Sequence, residues 1–308
     1  MDDLAVPDAV RHRAISLGAP GEAWLAGLPD KLAQLSVTLG LATGRVLEGG
    51  TSALVTEATL IDGRAAVLKV FLPGGGQDFA GERAVLRAAR GRGYAELLAA
   101  DVEAEALVLE RLGPNLRSRG LSAADEMSII CRVLPEAWAC PIPPGLTDGA
   151  QKARDLAAWV ETKWAELDQP CPRTVVTAAL EHARDRETAL DPALAVTGHG
   201  DCHAWNTLEA PGSPHGYKFV DPDGLFVEPA YDLGVLLREW VWEPKAGSIL
   251  AQGRARCLHL SAETRISAEA IWRWGYLERA STGLAGLEIG LPGSQAILDV
   301  AEAWLPGL

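Results

Sequence analysis

One segment of the chain concentrates polar side chains of the kind that transfer phosphoryl groups. It reads Thr197-Gly-His-Gly-Asp-Cys-His-Ala-Trp-Asn-Thr-Leu and is followed by Lys218-Phe-Val-Asp-Pro-Asp. Asp201 and Asn206 stand five residues apart, and Asp221 comes 15 residues after Asn206. Two hard oxygen ligands suit Mg²⁺, which keeps its other positions for water and phosphate. A third oxygen group, a carboxylate, can then face an acceptor hydroxyl, and phosphoryl transfer requires this division of labour.

A second group of residues, earlier in the chain, has the types that hold the phosphates of a nucleotide. Such a site needs a lysine that reaches the phosphates and an anion that positions the lysine. Lys69 lies in a β-prone run, and Glu82 follows 13 residues later in a helical stretch. Glu48 and Glu57 are alternative partners for Lys69, and Glu82 is otherwise a solvated helix residue. A turn that can lay backbone N–H groups over phosphates contains four small residues, Gly49, Gly50, Thr51 and Ser52.

The first part of the chain has the pattern of a small β-rich lobe. Residues 45–71 read as strands interrupted by Asp62-Gly63, which favours a hairpin with a type I′ turn and positive φ at both central residues. A helical stretch follows, and the apolar run from Ala106 to Leu112 reads as a buried strand. Residues 21–39 have the pattern of a leading amphipathic helix.

The second part of the chain is mainly helical in pattern. Ser122 and Asp125 have the spacing that opens a helix, and Pro135 is expected to kink that helix or end it early. Strand-like pieces at 194–198 and 217–220 flank the polar segment. Further helical patterns occupy 150–168, 174–190, 232–242, 247–260 and 267–288.

Composition excludes several classes of protein. The 308 residues are 48% hydrophobic, with a mean hydropathy of +0.06, which suits a chain with a buried core. A formal charge of −13 argues against a nucleic-acid partner and would attract a cationic small molecule. The five cysteines form no Cys-x-x-Cys pair, as in a reducing cytosol. Neither a signal peptide nor an apolar stretch of the ~20 residues needed to span a bilayer is visible, so we expect a soluble, cytoplasmic chain without a membrane partner.

Several motifs resemble one group of small-molecule kinases. His199-Gly-Asp201 with Asn206 and Asp221 resembles the aminoglycoside phosphotransferase branch of the protein-kinase-like fold. Other stretches resemble, more narrowly, the streptomycin 6-phosphotransferase/hydroxyurea phosphotransferase family. They are Val6-Pro-Asp with Glu22-Ala-Trp-Leu-Ala-Gly-Leu-Pro, Leu109-Glu-Arg-Leu, and Asp221-Pro-Asp with Glu228-Pro-Ala-Tyr-Asp-Leu. The resemblance covers nearly the whole chain and is closest in these motifs.

The resemblance implies an α+β, two-lobed, protein-kinase-like fold with a small β-rich N-lobe and a larger, mainly helical C-lobe. Residues 1–112 would form the nucleotide-binding lobe with its leading helix. Residues 113–308 would form the lobe with the catalytic loop and the acceptor site. The implied cofactors are ATP and Mg²⁺.

The resemblance also implies roles for single residues. Asp201 would be the catalytic base, and Asn206 and Asp221 the Mg²⁺ ligands. Lys69 and Glu82 would act on the phosphates of ATP.

Two further roles follow from the resemblance. The backbone from Glu110 to Leu112 would lie against adenine, and Asp232 would support the catalytic loop. The glycine-rich turn lacks a full Gly-x-Gly-x-x-Gly, and the stretch Cys202-His203-Ala-Trp205 lies where relatives vary.

The expected acceptor is a hydroxyl of a small cationic molecule, an aminoglycoside of the streptomycin type. Hydroxyurea, another metabolite or a sugar is the alternative. The simpler interpretation of the glutamates that follow Asp221 is a solvated acidic face. The simpler interpretation of the tryptophans is a position in the core. The residues assigned to acceptor binding are Asp223, Glu228, Trp240 and Glu243.

Two other chemistries fit part of the same segment. His199, Asp201 and His203 offer the N and O donors of a metal-dependent hydrolase, although no further histidine stands at a recognised spacing. Cys202 beside His203 offers a thiol, but adjacent residues rarely allow the proton transfer that activates one. Neither a P-loop nor a Gly-x-Ser-x-Gly elbow is present.

Overall fold

The computed structural model describes residues 4–238 and 248–308. The chain divides into an N-terminal unit, Met1–Gly113, and a C-terminal unit, Pro114–Leu308. The first unit is built on one β-sheet and the second mainly on helices. The predicted α+β class, with a β-rich first part and a helical second part, is confirmed.

The β-prone segments of the N-terminal unit form one antiparallel sheet. Its strands are β1 (Leu41–Val46), β2 (Ala53–Leu60), β3 (Ala65–Phe71), β4 (Leu97–Asp101) and β5 (Ala106–Glu110). Their order is β1-β2-β3-β5-β4, so β3 pairs with β2 on one side and with β5 on the other. Lys69 on β3 lies opposite Val55 and Leu107. The sequence therefore places this lysine in the interior of the sheet and not at an edge.

The turn between β2 and β3 differs from the predicted type I′ turn. Gly63 has a φ of 86°, but Asp62 is not among the residues with positive φ. Leu60 N donates to Arg64 O at 2.9 Å, so three residues form the loop and Gly63 takes the left-handed bulge position. The side chain of Asp62 accepts from Arg64 N at 3.0 Å, and this bond favours the longer loop. The hairpin itself is confirmed.

Three helices complete the described N-terminal unit: α1 (Asp8–Ser16), α2 (Ala19–Thr38) and α3 (Gly76–Ala89). α2 is the leading helix predicted over 21–39. It has Pro20 in its first turn, where a missing N–H breaks no helical hydrogen bond. Its apolar side chains recur every three or four residues and join the core above the sheet. They are Trp24, Leu28, Leu32 and Leu35.

The C-terminal unit contains a 3₁₀ turn, Leu116–Arg119, and a series of helices. The described helices are α4 (Ala123–Trp138), α5 (Gly149–Glu166), α6 (Arg173–Ala189), α7 (Ala230–Val235), α8 (Ile249–Thr264), α9 (Ala268–Glu288) and α10 (Ser294–Ala303). α5, α6, α8 and α9 confirm four predicted helices to within a few residues at each end. The helix predicted over 232–242 is present as α7 but ends at Val235, and positions 239–242 of that prediction lie outside the described residues. No described helix is both long enough and apolar enough to cross a membrane.

Pro135 does not end α4 early, which is one of the two effects that the sequence analysis expects of it. The helix begins as predicted, with the side chain of Ser122 accepting from Asp125 N, and it continues to Trp138. Pro135 lies in the last turn, where its missing N–H removes a single helical hydrogen bond. Leu134 and Ala137 are fully buried, and their packing offsets that loss.

Short strands organise the segment that carries the polar motif. They are β6 (Thr147–Asp148), β7 (Val196–Gly198), β8 (Thr207–Glu209), β9 (Tyr217–Phe219) and β10 (Leu225–Val227). β7 pairs with β10, and β8 pairs with β9. The two strand-like pieces that flank the motif therefore do not pair with each other. The loop 199–206 leaves one small sheet and enters another.

Candidate active site

The buried carboxylate of Asp232, in α7, fixes the start of the loop 199–206. Its Oδ2 accepts from His199 N at 2.9 Å and its Oδ1 from Gly200 N at 2.8 Å. Trp138 Nε1 also donates to Oδ2, at 2.8 Å. Asp232 is fully buried, and these three donors compensate for the loss of hydration of its charge. This is the supporting position that the sequence analysis expects for Asp232.

Both ring nitrogens of His199 are bonded to the main chain. Nε2 lies 3.0 Å from Val220 O, and Asp201 N donates to Nδ1 at 3.1 Å. The carbonyl requires a proton on Nε2 and the amide requires a lone pair on Nδ1, which assigns the neutral tautomer. Burial lowers the pKa of His199, although the negative charges of Asp232 and Asp201 oppose that change. His199 therefore ties the loop to the segment at Val220 and keeps no lone pair for a metal.

The carboxylate of Asp201 is held at both oxygens. Oδ1 pairs with Nη2 of Arg238. Oδ2 lies 3.3 Å from His203 Nε2 and 3.2 Å from Asn206 Nδ2. Burial alone would raise the pKa of Asp201, but the hydrogen bond with His203 and the charge of Arg238 hold that pKa well below its usual value. Asp201 is therefore ionised at neutral pH and fixed in direction.

Asp201 in turn orients the amide of Asn206. Asn206 Nδ2 donates to the main-chain O of Asp201 at 3.0 Å as well as to its carboxylate. Within the described residues, Asn206 Oδ1 accepts no hydrogen bond, so it remains available as an oxygen donor to a cation. The main-chain O of Asn206 accepts from Val220 N at 3.0 Å, which fastens the end of the loop beside Asp221.

Asp221 has an uncommon backbone conformation. Its φ is 58°, in the left-handed region where a residue with a Cβ is strained, and such strain is concentrated at functional sites. The charges of Asp221 and Asp201 both act on the ring of His199. Asp201 and Asn206 are thus in direct contact, and Asp221 directly follows Val220, whose main chain bonds both His199 and Asn206. An amide oxygen and a carboxylate are donors of the kind that Mg²⁺ prefers.

Three residues that touch or support Asp201 were missed by sequence reasoning. Arg238 bridges two carboxylates, since its Nη2 pairs with Asp201 and its Nη1 lies 3.4 Å from Glu278 Oε2. Tyr231 OH donates to Glu278 Oε1 at 2.6 Å. No spacing rule links residues so distant in sequence. One partial signal in the sequence is Glu278, a carboxylate that follows Tyr276 and Leu277 in the predicted helix, and the structure shows it to be only 4% exposed.

Asp223, assigned to acceptor binding, lies against the catalytic loop. Its main-chain N donates to His199 O at 2.8 Å. Desolvation raises the pKa of Asp223 to about 7, the positive charge of Lys152 opposes the rise, and the negative charge of Asp201 adds to it. One side of the residue nevertheless reaches solvent.

Glu228, also assigned to acceptor binding, makes contacts within the C-terminal unit. Its Oε1 accepts from Trp274 Nε1 at 2.8 Å and lies 3.2 Å from Arg186 Nη1. Those bonds favour a structural role for this glutamate. Trp240 and Glu243 lie outside the described residues.

In the N-terminal unit, Lys69 and Glu82 form a buried ion pair. Lys69 Nζ lies 2.6 Å from Glu82 Oε2, and neither side chain is more than 5% exposed. The ammonium also lies 4.7 Å from the centre of the Phe71 ring. β3 and α3 thus bring together the predicted lysine and its predicted anion.

The competing glutamates make other contacts or face solvent. Glu57 Oε1 lies 3.0 Å from Arg45 Nε and 3.0 Å from Arg111 Nη2. Glu48 is exposed. Glu82 is therefore the described glutamate that pairs with Lys69.

Two main-chain segments complete the predicted nucleotide residues. Gly49 and Gly50 connect β1 to β2 with φ of 109° and 78°, values that favour glycine. Thr51 and Ser52 follow them on the exposed side of the turn. Glu110 ends β5, and Leu112, two residues later, makes no main-chain hydrogen bond to any other described residue. The N–H and C=O of Leu112 therefore remain available.

Neither alternative chemistry is supported by the geometry. Among the described residues, no group of three His, Cys, Asp or Glu side chains is arranged to hold a metal ion. Cys202 is buried, its Sγ donates to Asp232 O at 3.1 Å, and burial raises the pKa of its thiol well above the usual value. A thiolate nucleophile does not form in such surroundings.

Two named proteins are similar to this chain over most of its length. Streptomycin 6-kinase from Streptomyces griseus is 29% identical over 257 residues, which are 83% of this chain and 80% of that protein. Hydroxyurea phosphotransferase from Kitasatospora aureofaciens is 30% identical over 223 residues, which are 70% of this chain and 62% of that protein.

A solved structure and a family model agree with these similarities. Choline kinase LicA from Streptococcus pneumoniae superposes with a TM-score of 0.61 at 16% identity, covering 91% of this chain and 99% of that one. The predicted protein-kinase-like fold is thereby confirmed. The model of the family described as "Aminoglycoside/hydroxyurea antibiotic resistance kinase" matches residues 41–280. Because that match spans well over half of the chain, this protein belongs to the aminoglycoside/hydroxyurea antibiotic resistance kinase family.

Proposed function

We propose that this protein transfers the γ-phosphate of ATP to a hydroxyl of a small molecule, an aminoglycoside of the streptomycin type. Membership of a kinase family makes the chain a phosphotransferase. The observation that carries the proposal is the loop 199–206, in which an ionised aspartate orients an asparagine amide beside a strained second aspartate. The proposal assigns nucleotide binding to residues 1–112, and catalysis and acceptor binding to residues 113–308.

The nucleotide-binding role rests on the buried pair of Lys69 and Glu82. In this role the ammonium of Lys69 binds phosphate oxygens, and the carboxylate of Glu82 keeps it in place. The turn at Gly49–Ser52 offers main-chain N–H groups to the phosphates. The available N–H and C=O of Leu112, with Glu110 before them, suit the edge of an adenine ring.

Asp201 orients the acceptor hydroxyl and takes its proton. The hydroxyl donates to the carboxylate, which directs the acceptor oxygen towards the phosphorus for in-line attack. A low pKa makes Asp201 a weak base, which suffices because little covalent help is needed in the loose transition state of phosphoryl transfer. Positioning is therefore the larger part of its effect.

Asn206 and Asp221 have the donors that would hold Mg²⁺. The amide of Asn206 is fixed through its nitrogen, which leaves Oδ1 as the donor. Asp221 supplies the carboxylate that a divalent cation requires. Mg²⁺ in this place would neutralise charge on the phosphates and bind their oxygens.

The acceptor is proposed from similarity and charge together. The chain is 29% identical to a streptomycin 6-kinase, and its net charge of −13 favours a guanidinium-bearing acceptor over a neutral one. Asp223, open to solvent beside the catalytic loop, is the described carboxylate best placed to meet such an acceptor. Hydroxyurea is the second candidate, because a hydroxyurea phosphotransferase is 30% identical to this chain.

An assay of ADP release tests the proposal. Purified protein is given ATP and Mg²⁺ with streptomycin, hydroxyurea or a panel of sugars. We expect acceptor-dependent ADP release with streptomycin, and a kcat lowered on the order of 10³-fold in Asp201→Asn, since that change keeps the shape but removes the base. ATP binding by the variant should be unchanged.

Asp155→Asn is the matched control, because Asp155 is an exposed aspartate of the same unit that accepts a hydrogen bond from Gln151 and makes none to the catalytic loop among the described residues. Its kcat should equal that of the wild type. A wild-type protein that releases no acceptor-dependent ADP would contradict the proposed activity. An unchanged kcat in Asp201→Asn would remove Asp201 from its role.

A further inference from the structure

Arg238, which pairs with Asp201, also pairs with a second carboxylate. Arg238 contacts Asp201 Oδ1 through Nη2 and Glu278 Oε2 through Nη1, so its two terminal nitrogens serve two carboxylates. The other oxygen of Glu278 accepts from Tyr231 OH at 2.6 Å. Glu278 and Tyr231 are buried and Arg238 is largely so, at 15% side-chain exposure. The chain Tyr231–Glu278–Arg238–Asp201 is therefore continuous, and its exposure to solvent rises towards Asp201, whose side chain is 30% exposed.

The close crossing of α7 and α9 makes this chain possible. A Cβ on Gly234 of α7 would lie 2.6 Å from Trp274 Cβ and 2.8 Å from Gly275 N. A Cβ on Gly275 of α9 would lie 2.7 Å from Leu237 Cδ1. Both positions require glycine for steric reasons alone. The resulting short distance between the helices places Glu278 within reach of both Tyr231 and Arg238.

The contacts of Asp201 identify which of its oxygens is left for an acceptor. An ionised carboxylate oxygen has two lone-pair sites. Among the described residues, Oδ2 faces two nitrogens, those of His203 and Asn206, and Oδ1 faces one, that of Arg238. The remaining site is on Oδ1, directly beside the guanidinium.

We infer that Arg238 is a positioning residue for phosphoryl transfer, which sets the direction of Asp201 so that Oδ1 receives the acceptor hydroxyl. The inference rests on the proposed function. Glu278 and Tyr231 act one step further away, by fixing the guanidinium. Arginine suits this place because its planar fork can bond two carboxylates at once, whereas the single nitrogen of lysine can satisfy only one at this separation.

Steady-state kinetics of Arg238→Met, Arg238→Lys and Glu278→Gln test the inference, with streptomycin and ATP–Mg²⁺ as substrates. Arg238→Met should lower kcat on the order of 10²-fold, since a small misplacement of a catalytic group has effects of this size. The KM for ATP should stay within about threefold of the wild-type value. Arg238→Lys should recover part of the loss, and Glu278→Gln should show a smaller loss than Arg238→Met.

Coupling between the two residues is a further readout that a merely structural role would not produce. If Glu278 acts through Arg238, the double variant R238M/E278Q should be no slower than R238M alone. Losses in kcat that multiply would contradict the relay.

The matched control is Arg273→Met. Arg273 also bridges two carboxylates in the same unit, those of Asp185 and Glu269, and among the described residues it makes no contact with Asp201. Its kcat should stay within about twofold of wild type. An equal loss in R273M, or a folded R238M with a wild-type kcat, would overturn the inference.

Failure of this inference can be distinguished from failure of the proposed function. If R238M does not fold, as judged by far-UV circular dichroism, R238K and E278Q decide, and wild-type kcat in both overturns the inference. If the wild-type enzyme itself phosphorylates neither streptomycin nor hydroxyurea, the proposed function fails before Arg238 is tested.

Discussion

At the residue scale, the ion pair to which we assign phosphate binding is buried. Lys69 and Glu82 are each buried, with 2.6 Å between Nζ and Oε2. Removal of one partner from a buried ion pair is costly, because the remaining buried charge loses compensation for its lost hydration. Stability and nucleotide binding can therefore be separated by mutation at this pair.

Lys69→Met should lower the free energy of unfolding by about 3–5 kcal/mol, since it leaves Glu82 charged and buried. The double variant Lys69→Met/Glu82→Gln should recover most of that loss, because no isolated charge remains. Neither variant should bind ATP–Mg²⁺ tightly. Urea denaturation measures the first effect and calorimetric titration of ATP the second.

Arg45→Ala is the control for this pair. Arg45 bonds Glu57 on the same sheet but has 73% of its side chain exposed, and exposed ion pairs contribute about 0–1 kcal/mol. Wild-type stability in Lys69→Met, or wild-type ATP affinity in the double variant, would show that this pair does not have the role assigned to it.

Residue types and spacing predict only part of the site. Asp201, Asn206 and Asp221 are detectable because they stand in one short stretch with recognisable spacing. Arg238 is not, because its contact with Asp201 depends on the turn after α7, and its contact with Glu278 depends on a helix crossing that no local pattern encodes. Glu228 is an example of a misleading position in the sequence. Because it closely follows Asp221, it is assigned to acceptor binding, but in the structure its carboxylate contacts Trp274 and Arg186.

At the scale of elements, the packing of α7 on α9 carries the site. α7 contains Asp232, which fixes the catalytic loop, and Tyr231, which begins the relay to Arg238. Gly234 follows these two residues in α7 and lies directly against α9. Separation of the two helices would therefore disturb the loop and the relay together.

Gly234→Ala should destabilise the protein by about 1–3 kcal/mol, because its methyl group has no space against Trp274 and the backbone of Gly275. It should also lower kcat, since α7 moves with Asp232. Thermal denaturation and the ADP-release assay measure the two effects.

The control is Gly27→Ala in α2, where nothing lies within 4 Å of an added Cβ. That substitution should stabilise the protein by up to about 1 kcal/mol, because alanine favours the helix. A melting temperature for Gly234→Ala equal to that of the wild type would refute the packing argument.

The elements that can be predicted from the sequence are the long ones. α2, α5, α6, α8 and α9 extend over four or more turns, so each is long enough to be recognised as a helix. β6, β8 and β10 have two or three residues each, too few for any alternation to show. The predicted type of the turn at Asp62-Gly63 was wrong. The side chain of Asp62 accepts a hydrogen bond from Arg64 N, which favours a longer loop, and the dipeptide alone does not reveal this bond.

At the scale of the whole molecule, the formal charge of −13 distinguishes the two candidate acceptors. A negative protein attracts a cation over a distance set by the ionic strength, about 10 Å at 0.1 M salt. Streptomycin carries guanidinium charges and hydroxyurea is neutral. Only the first should be steered by the field of the protein.

The kcat/KM for streptomycin should fall several-fold as KCl rises from about 20 mM to about 300 mM, at saturating ATP–Mg²⁺. The kcat/KM for hydroxyurea, measured in the same buffers, should change far less. Equal salt dependence for the two acceptors would indicate that the effect arises elsewhere, for example at the nucleotide, and would contradict steering of a cationic acceptor.

Asp232 has one more consequence, which concerns how such an enzyme can change. Because this carboxylate anchors the beginning of the loop 199–206 and Val220 anchors its end, the course of the backbone does not depend on the side chain at its tip. Trp205 occupies that tip with 56% of its surface exposed. We therefore expect that replacing the indole leaves Asp201 and Asn206 in place, so that this position can vary without loss of the loop conformation.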